Sequence, residues 1–499
     1  MSKLHIREIH PSHIYRFVAV TLITLIITAC AVDEEDISPI HVRSVATVLG
    51  LTGDPTTNRT LPHISDPKAQ LGKRLFFTMG LGGDEDSACV SCHHPVLGGG
   101  DDLSLPIGVG AIEPELLGPG RLHPSDGPTV PRNAPTTFNT GLIDRTMFLD
   151  GRVESIGKTP GLNGNDGLGI ITPDSEKDVN GNFIADPDAG NNLPTAQSRF
   201  PVTSPEEMRG FVFPSADPTN DEVRTALATR LAGYNLNAWG TEFTDAFGDP
   251  EINYARIAEA IGEYERSQVF VNTPWKAFMD GDDNAISEAA RRGALLFMLP
   301  TRVNGANCLS CHRGDVFTDE LFHVLGMPQI GLGKGDGTTT TDDFGRFRVT
   351  GNDADMYAFR TPSLLNVSET GPWGHAGAYT SLEAVIRHHL DPQAALNSYD
   401  FNQLEPSIVS SGQTDDMQEN TQNALNKLAA NRLAGISSIE IVSLTDEQVG
   451  YLAEFLKTLT DPCVTNRDCL APWITDKDSG DADPDNLRLD AYDINGASL

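Results

Sequence analysis

The chain has 499 residues, with 36 Lys and Arg against 69 Asp and Glu, a formal charge of −33, and 39% hydrophobic residues. So acidic a composition excludes nucleic acid as a partner, because a phosphate backbone is bound by a basic face, and it disfavours docking on an anionic membrane. The apolar content, with 4 Trp, 9 Tyr and 21 Phe, excludes wholesale disorder, and the length suggests two or three domains.

Residues 1–29 read as an export signal. Lys3, Arg7 and Arg16 precede an apolar run from Phe17 to Thr28, about twelve residues and too short to span a bilayer. The run ends in Ile27-Thr28-Ala29-Cys30, which resembles a bacterial lipobox. Cys30 is therefore the candidate lipidated N-terminus, and the mature protein is expected in the periplasm or cell envelope as an outer-membrane-anchored lipoprotein. Membrane contact is expected only through that anchor. A linker is expected over residues 30–60.

Asp66-Pro67 predicts a helix start, with proline at the first helical position and Leu71 and Leu75 on one face. Cys89-Val90-Ser91-Cys92-His93 follows, and Cys308-Leu309-Ser310-Cys311-His312 repeats it. CxxCH is the attachment signature of c-type haem, with a redox or zinc CxxC as the alternative. Two thiols three positions apart add to the two vinyl groups of one haem, and the next residue brings an imidazole under the iron. The pattern predicts two covalently bound haem c groups, attached through Cys89, Cys92, Cys308 and Cys311, with His93 and His312 as iron ligands. The motif histidines, at 93 and 312, are 219 positions apart, which asks for two haem domains. We place these at 61–280, with an insertion over 155–195, and at 281–462.

Helical stripes continue through Val223, Leu227, Leu231 and Tyr234, and through Ile257, Ile261 and Tyr264. Within the insertion, Asp178 to Asp186 alternates oxygen-bearing side chains as a calcium loop does. Its glycine, however, stands at the fourth place rather than the sixth, and a solvated acidic loop is the alternative reading. Thr380 and Glu383 predict a capped helix that puts Leu382, Val385, Ile386 and His389 on one stripe and His388 on its flank. Thr445 and Gln448 form a capping box before Val449, Leu452, Leu456 and Leu459. Alternating strand patterns are scarce, so the fold class is mostly α with long loops. Cys463 and Cys469 predict a local disulfide in an oxidising compartment. It closes an acidic tail over 463–499, whose stretch from Asp476 to Asp493 is expected to be mobile. The seven cysteines thus divide into one lipid site, four thioethers and one bridge.

The ordered motifs from about Leu71 to Leu459 resemble the bacterial di-haem cytochrome c peroxidases and their MauG-like relatives, an MbnH-like branch in particular. They are Leu71-Gly72-Lys73-Arg74-Leu75-Phe76-Phe77, Arg132-Asn133-Ala134-Pro135-Thr136, Asp150-Gly151-Arg152, Pro201 to Met208, Phe359 to Leu364, and Thr370 to Gly377. The resemblance implies two class I cytochrome c-like haem domains. It implies peroxide reduction at the N-terminal haem, with electrons relayed through the C-terminal haem from a small cytochrome or cupredoxin. MauG- and MbnH-type relatives instead oxidise an aromatic residue of a protein substrate, and a non-catalytic di-haem electron carrier is the third alternative.

Residue by residue, the resemblance assigns the distal acid/base to Glu207 and its companion to Gln197. It assigns one calcium ion to Asn133 and the carbonyls of Thr370 and Pro372. The far ligand of the second haem falls seventeen positions after Pro372, where relatives carry methionine or tyrosine; here the residue is His389. Leu149 stands where the family commonly has an inter-haem tryptophan, and Trp373 stands where relatives often have tyrosine. His94 and His375 are read as haem-pocket or structural residues, and His123 as a possible second ligand of the first iron. The net charge of −33 is expected to steer a basic redox partner, more strongly at low salt.

Overall fold

A computed structural model of the chain describes residues 36–234, 238–437 and 439–499. The export signal and Cys30 lie outside the described residues. No helix among the described residues is long and apolar enough to cross a membrane.

The organising element occurs twice. In the first half, the helix Pro67–Phe77 crosses the helix Tyr254–Ser267. A Cβ at Gly72 would lie 1.9 Å from the Ala260 carbonyl oxygen, so only glycine allows this approach. In the second half, Glu288–Met298 crosses Asp446–Lys457, and a Cβ at Gly293 would lie 1.8 Å from the Tyr451 carbonyl oxygen. Four residues beyond each crossing glycine stands a buried phenylalanine, Phe76 and Phe297, which packs toward His93 and His312 at 6.5 and 6.4 Å between ring centroids. The chain is therefore mostly α-helical and built on two like halves.

Each helix starts for a visible reason. Thr445 accepts a hydrogen bond from Gln448 N at 3.2 Å, and Thr445 N donates back to Gln448 Oε1 at 2.9 Å. Thr219 and Glu222 close a second capping box at the head of Asn220–Gly233. The helix Leu382–Leu390 starts one residue later than the Thr380 cap expected, because Ser381 Oγ receives Ala384 N at 3.2 Å.

Strands are few and short. Thr146–Met147, Val153–Ser155 and Ile170–Ile171 make an antiparallel sheet whose register pairs Met147 with Val153 and Ser155 with Ile170. With Leu193, Ala196 and Phe200, this sheet gives the insertion a small core of its own. Phe322–Val324 pairs with Ala358–Arg360 in the second half.

Both ends of the described chain cross to the opposite half. The segment 30–60, read as a linker, contains the helix Pro39–Val48, whose Val42 and Ala46 enter the core of the second half. Val271, Trp275 and Phe278 also belong to that core. The acidic tail is not mobile but packs on the first half. Leu489 is 0% exposed and donates N–H to Phe77 O at 2.8 Å, while Met79 N donates to Leu487 O at 2.9 Å. Asp485 accepts from Thr78 Oγ1 at 2.8 Å and from Trp239 Nε1 at 3.0 Å. Cys463 and Cys469 are joined by a disulfide, and Val464 and Leu470 beside them are buried in the same core.

Candidate active site

The first CxxCH motif begins in a single helical turn, Cys89–Ser91. His93 Nδ1 lies 3.2 Å from the Gly99 carbonyl oxygen, which can only accept, so Nδ1 carries the hydrogen and Nε2 is the bare nitrogen. The second motif repeats this, with His312 Nδ1 3.1 Å from the Phe317 carbonyl oxygen. Burial depresses the proton affinity of both rings, that of His312 to about 4, so each is neutral and able to bind a metal. Burial also pushes the Cys89 and Cys308 thiols up to about 12. Reactive redox cysteines have lowered values, so these surroundings suit thioether attachment and not a thiolate CxxC.

His389 faces His312. Their ring centroids are 6.3 Å apart, and His389 Nδ1 lies 2.8 Å from the Val385 carbonyl oxygen, leaving Nε2 bare. Two imidazoles bound through one nitrogen each at roughly 2.0–2.1 Å, on opposite sides of one metal ion, would have centroids about 6.3 Å apart. The separation would let the pair hold one haem iron. His388 is not a flank residue, as helical phase alone suggested, but fully buried. It bonds Tyr379 at 2.9 Å and the Leu325 carbonyl at 3.3 Å, because loops of the same half cover that side of the helix.

Glu207 lies in Pro205–Arg209, a single wide turn after Ser204. One contact sets this turn against the first motif and another against the loop that follows it. Met208 Sδ lies 3.9 Å from Cys89 Sγ, and a Cβ at Gly108 would fall 2.2 Å from the Glu206 carbonyl oxygen and 2.5 Å from that of Glu207. Burial raises the Glu207 carboxyl above its ordinary value, opposed by the positive charges of Arg152 and Lys334. Gln197 ends the helix Leu193–Gln197, and no hydrogen bond joins it to Glu207 among the described residues.

Arg132 ties the halves together beside this pocket. Its Nε and Nη2 bond Asp343 at 2.6 and 2.8 Å, and its Nη1 bonds Asp150 at 2.7 Å. All three side chains are buried, and Arg152 reaches Asp150 at 3.1 Å from the other side. The arginine charges hold Asp150 and Asp343 well below the usual carboxylate range, Asp343 at about 2.

Asn133 Nδ2 donates to the carbonyls of Leu103 and Ser104 at 3.0 and 3.2 Å, which leaves Oδ1 as the atom available to a cation. An amide oxygen is a hard donor of the kind that calcium takes. The Asp178 loop fits a cation poorly. Asp178 Oδ1 is spent on Asn180 N and Asn182 N at 2.8 and 2.9 Å, and Asp186 is spent on Thr172 and Arg199.

The remaining histidines are structural in character. His94 accepts from Val96 N at 3.2 Å, and burial lowers its proton affinity to about 3. His375 stacks on Phe359 at 4.1 Å. His123 Nδ1 pairs with Ser125 Oγ at 2.7 Å. The donor atoms of Cys311, Asp319 and His323 lie within 4.8 Å of one another, with His323 Nε2 2.9 Å from Asp319. Attachment of Cys311 to haem would leave this as an Asp–His pair beside the second haem. Leu149 carries no ring, and its carbonyl accepts Arg360 N at 2.8 Å.

Reasoning from sequence missed Lys334, the Arg132–Asp343 pair and Glu265. Glu265 is buried beside Cys89, and burial pushes its carboxyl up to about 8. Long-range pairing carries no local signal, although the buried glutamate stands on the apolar stripe with Ile257, Ile261 and Tyr264.

Two like helical halves, each carrying a CxxCH motif, with His389 facing the motif histidine of the second, fit a di-haem c-type oxidoreductase. Residues 66–284 match the family model described as di-haem cytochrome c peroxidase. The methylamine utilization protein MauG of Methylophilus methylotrophus is 28% identical over 322 residues, covering 64% of this chain and 72% of that protein. Cytochrome c551 peroxidase of Pseudomonas aeruginosa is 25% identical over 324 residues, covering 65% and 71%. A solved MauG-like protein associated with microbial copper homeostasis shares the fold, with a TM-score of 0.52 at 22% identity over 83% of this chain and 96% of that one. The chain is thus similar, over residues 66–284 and to these relatives, to the di-haem cytochrome c peroxidases and MauG proteins, and that similarity supports an oxidoreductase of the peroxidase kind with two haem c groups.

Proposed function

We propose that the chain reduces hydrogen peroxide at its N-terminal haem, with electrons relayed through the C-terminal haem. The observation that carries this reading is the asymmetry of the two sites. The Glu207 turn lies against Cys89 through Met208, whereas the second motif has a histidine, His389, facing His312. One site carries an acid/base group and the other is closed by a second imidazole.

Cys89, Cys92 and His93 would hold the first haem, and Cys308, Cys311, His312 and His389 the second. His93 would hold the haem that, when bound, would supply the redox chemistry of peroxide reduction. Glu207 takes the first proton of bound peroxide and returns it to the departing oxygen, with Gln197 as its companion in the pocket. A carboxyl performs both steps best when its proton affinity lies near the working pH. Burial moves Glu207 in that direction, while Arg152 and Lys334 keep it able to ionise. Two histidines set the second iron at a lower potential than histidine with methionine would, as suits a relay. Asn133, Thr370 and Pro372 would hold one calcium ion between the halves.

The electron donor is a basic small cytochrome or cupredoxin, drawn by the charge of −33. Export through residues 1–29 and lipidation at Cys30 place the reaction in the periplasm, at the outer membrane. The similarity to MauG proteins favours a second reading, in which the electrons come from an aromatic residue of a partner protein. Leu149 removes one route for that chemistry and Trp373 offers another. A steady-state assay of peroxide consumption separates the two, with reduced basic cytochrome, reduced cupredoxin and candidate partner proteins as donors. Turnover with the small carriers supports the peroxidase, turnover only with a partner protein supports the second reading, and peroxide-inert haems refute both.

A further inference from the structure

Behind the iron-facing side of the Leu382–Leu390 helix lies a buried tyrosine–histidine pair that peroxide reduction as described does not use. Tyr379 is 3% exposed and His388 is 0% exposed. The tyrosine hydroxyl is 2.9 Å from His388 Nδ1, and His388 Nε2 is 3.3 Å from the Leu325 carbonyl oxygen. A carbonyl only accepts, so Nε2 carries the hydrogen; Nδ1 of the neutral ring is then bare and accepts the tyrosine proton. The direction of the hydrogen bond is therefore fixed by its surroundings. Tyr379 is itself pinned, exchanging backbone hydrogen bonds with Trp373 at 2.7 and 3.1 Å. His388 adjoins His389, with 6.4 Å between ring centroids, and the Tyr379 ring is 5.4 Å from His388.

We propose that Tyr379 and His388 form a third redox site, an oxidisable tyrosine with its own proton acceptor, coupled to the second haem through His389. The inference rests on the reading of His389 as an iron ligand. Reducing one hydrogen peroxide to two waters takes two electrons and two protons. When no external donor is present, the haem pair would supply both electrons and solvent both protons, and the Tyr379 ring then returns one electron to the pair, so that one oxidising equivalent rests on the tyrosine and one on the haems. The hydroxyl proton moves along the hydrogen bond to His388 Nδ1, leaving a neutral tyrosyl radical and an imidazolium whose Nε2–H stays on Leu325. A later electron from the donor returns the proton to the phenolate oxygen and restores the pair.

Tyr357 is also buried and bonds the Asp342 carboxylate at 2.8 Å, but Tyr379 is the tyrosine bonded to the neighbour of His389. Tyr379 alone among the described tyrosines donates to an imidazole. Tyr399, edge-to-face with it at 5.6 Å between ring centroids, donates instead to the Ala378 carbonyl, which is no base. Tyr254 and Tyr264 likewise end on carbonyls. Enclosure keeps the radical from water and from casual reductants.

The test uses the di-haem holoprotein, mixed with one equivalent of hydrogen peroxide without donor, frozen and examined by EPR and visible spectroscopy. A tyrosyl radical signal is expected, narrowed when the protein carries ring-deuterated tyrosine. Tyr379→Phe is expected to lose the signal while the haem bands still respond to peroxide. His388→Gln, which keeps a hydrogen-bond acceptor but not a base, is expected to lose it too. Tyr399→Phe is expected to retain it. A signal that survives both Tyr379→Phe and His388→Gln overturns the proposal, as does the absence of any tyrosyl signal in a wild-type protein whose haems respond. Haems that ignore peroxide overturn the peroxidase reading and this inference with it.

Discussion

Removing the Arg132 guanidinium would strand two carboxylates that the fold has already buried. The side chains of Arg132, Asp150 and Asp343 are 8%, 6% and 3% exposed, and Arg132 makes three hydrogen bonds of 2.6–2.8 Å to the two acids. In Arg132→Met, Asp150 keeps Arg152 at 3.1 Å, but Asp343 keeps only the Gly345 amide at 2.9 Å. Breaking a buried pair from one side costs about 3–5 kcal/mol, because the remaining charge is neither solvated nor neutralised. For a unit of roughly 200 residues this lowers a melting midpoint by about 6–20 °C.

The pH dependence has a definite sign. The native pKa of Asp343 lies at about 2, below the unfolded value near 3.9, so its stabilisation is present above the unfolded value and is lost as pH falls through the native one. In the variant, burial without the arginine favours the protonated acid, so the deficit is largest at neutral pH and shrinks as the solution is acidified. Thermal unfolding of wild type, Arg132→Met and Arg132→Met/Asp343→Asn at pH 7 and pH 4.5 measures this. The double variant should recover part of the loss at pH 7. A single variant within about 1 kcal/mol of wild type at pH 7, or a deficit that grows with acid, would refute the reasoning.

Glu207→Gln is expected to slow peroxide turnover by about 10²–10⁴-fold with haem content unchanged, measured in a steady-state assay. The wild-type activity should fall on the acid side at a pH above the ordinary glutamate value, because burial raises this group and its base form is the one that works. Gly108→Ala forces a Cβ to within 2.2 Å of the Glu206 carbonyl oxygen, so it should displace the Glu207 turn and lower activity while both haems stay attached. Leu489→Ala should destabilise the first half by about 2–5 kcal/mol in a thermal melt, since Leu489 is fully buried there; a neutral result would mean that the tail does not pack.

Local chemistry was legible in the chain. CxxCH must sit at contiguous positions, and the Thr445–Gln448 cap acts over three residues, so both declare themselves without a fold. The pairing of His389 with His312 was legible only through family resemblance. Helical phase placed His389 with the apolar stripe but could not tell that Tyr379 and Leu325 claim the neighbouring His388. The acidic stretch near Asp485 looked mobile by composition. It is ordered because Leu489 and Ala491 fill a core 400 positions away in the chain, and Asp485 finds Thr78 and Trp239. The Asp178 loop read two ways in sequence, as a calcium loop or a solvated acidic loop, and its Asp178 Oδ1 accepts from the local amides of Asn180 and Asn182. The Arg132–Asp343 pair joins residues 211 positions apart, and no periodicity announces such a contact.

The central claim is that the two haems differ, the first served by Glu207 and the second held between His312 and His389. EPR of the ferric holoprotein, before and after half-reduction and peroxide, tests it most directly when wild type is compared with His389→Ala. The account predicts one bis-histidine low-spin signal and one peroxide-reactive haem in wild type, with the low-spin signal turning high-spin in His389→Ala. Two inert low-spin signals in wild type, or a low-spin signal unchanged by the substitution, would contradict it.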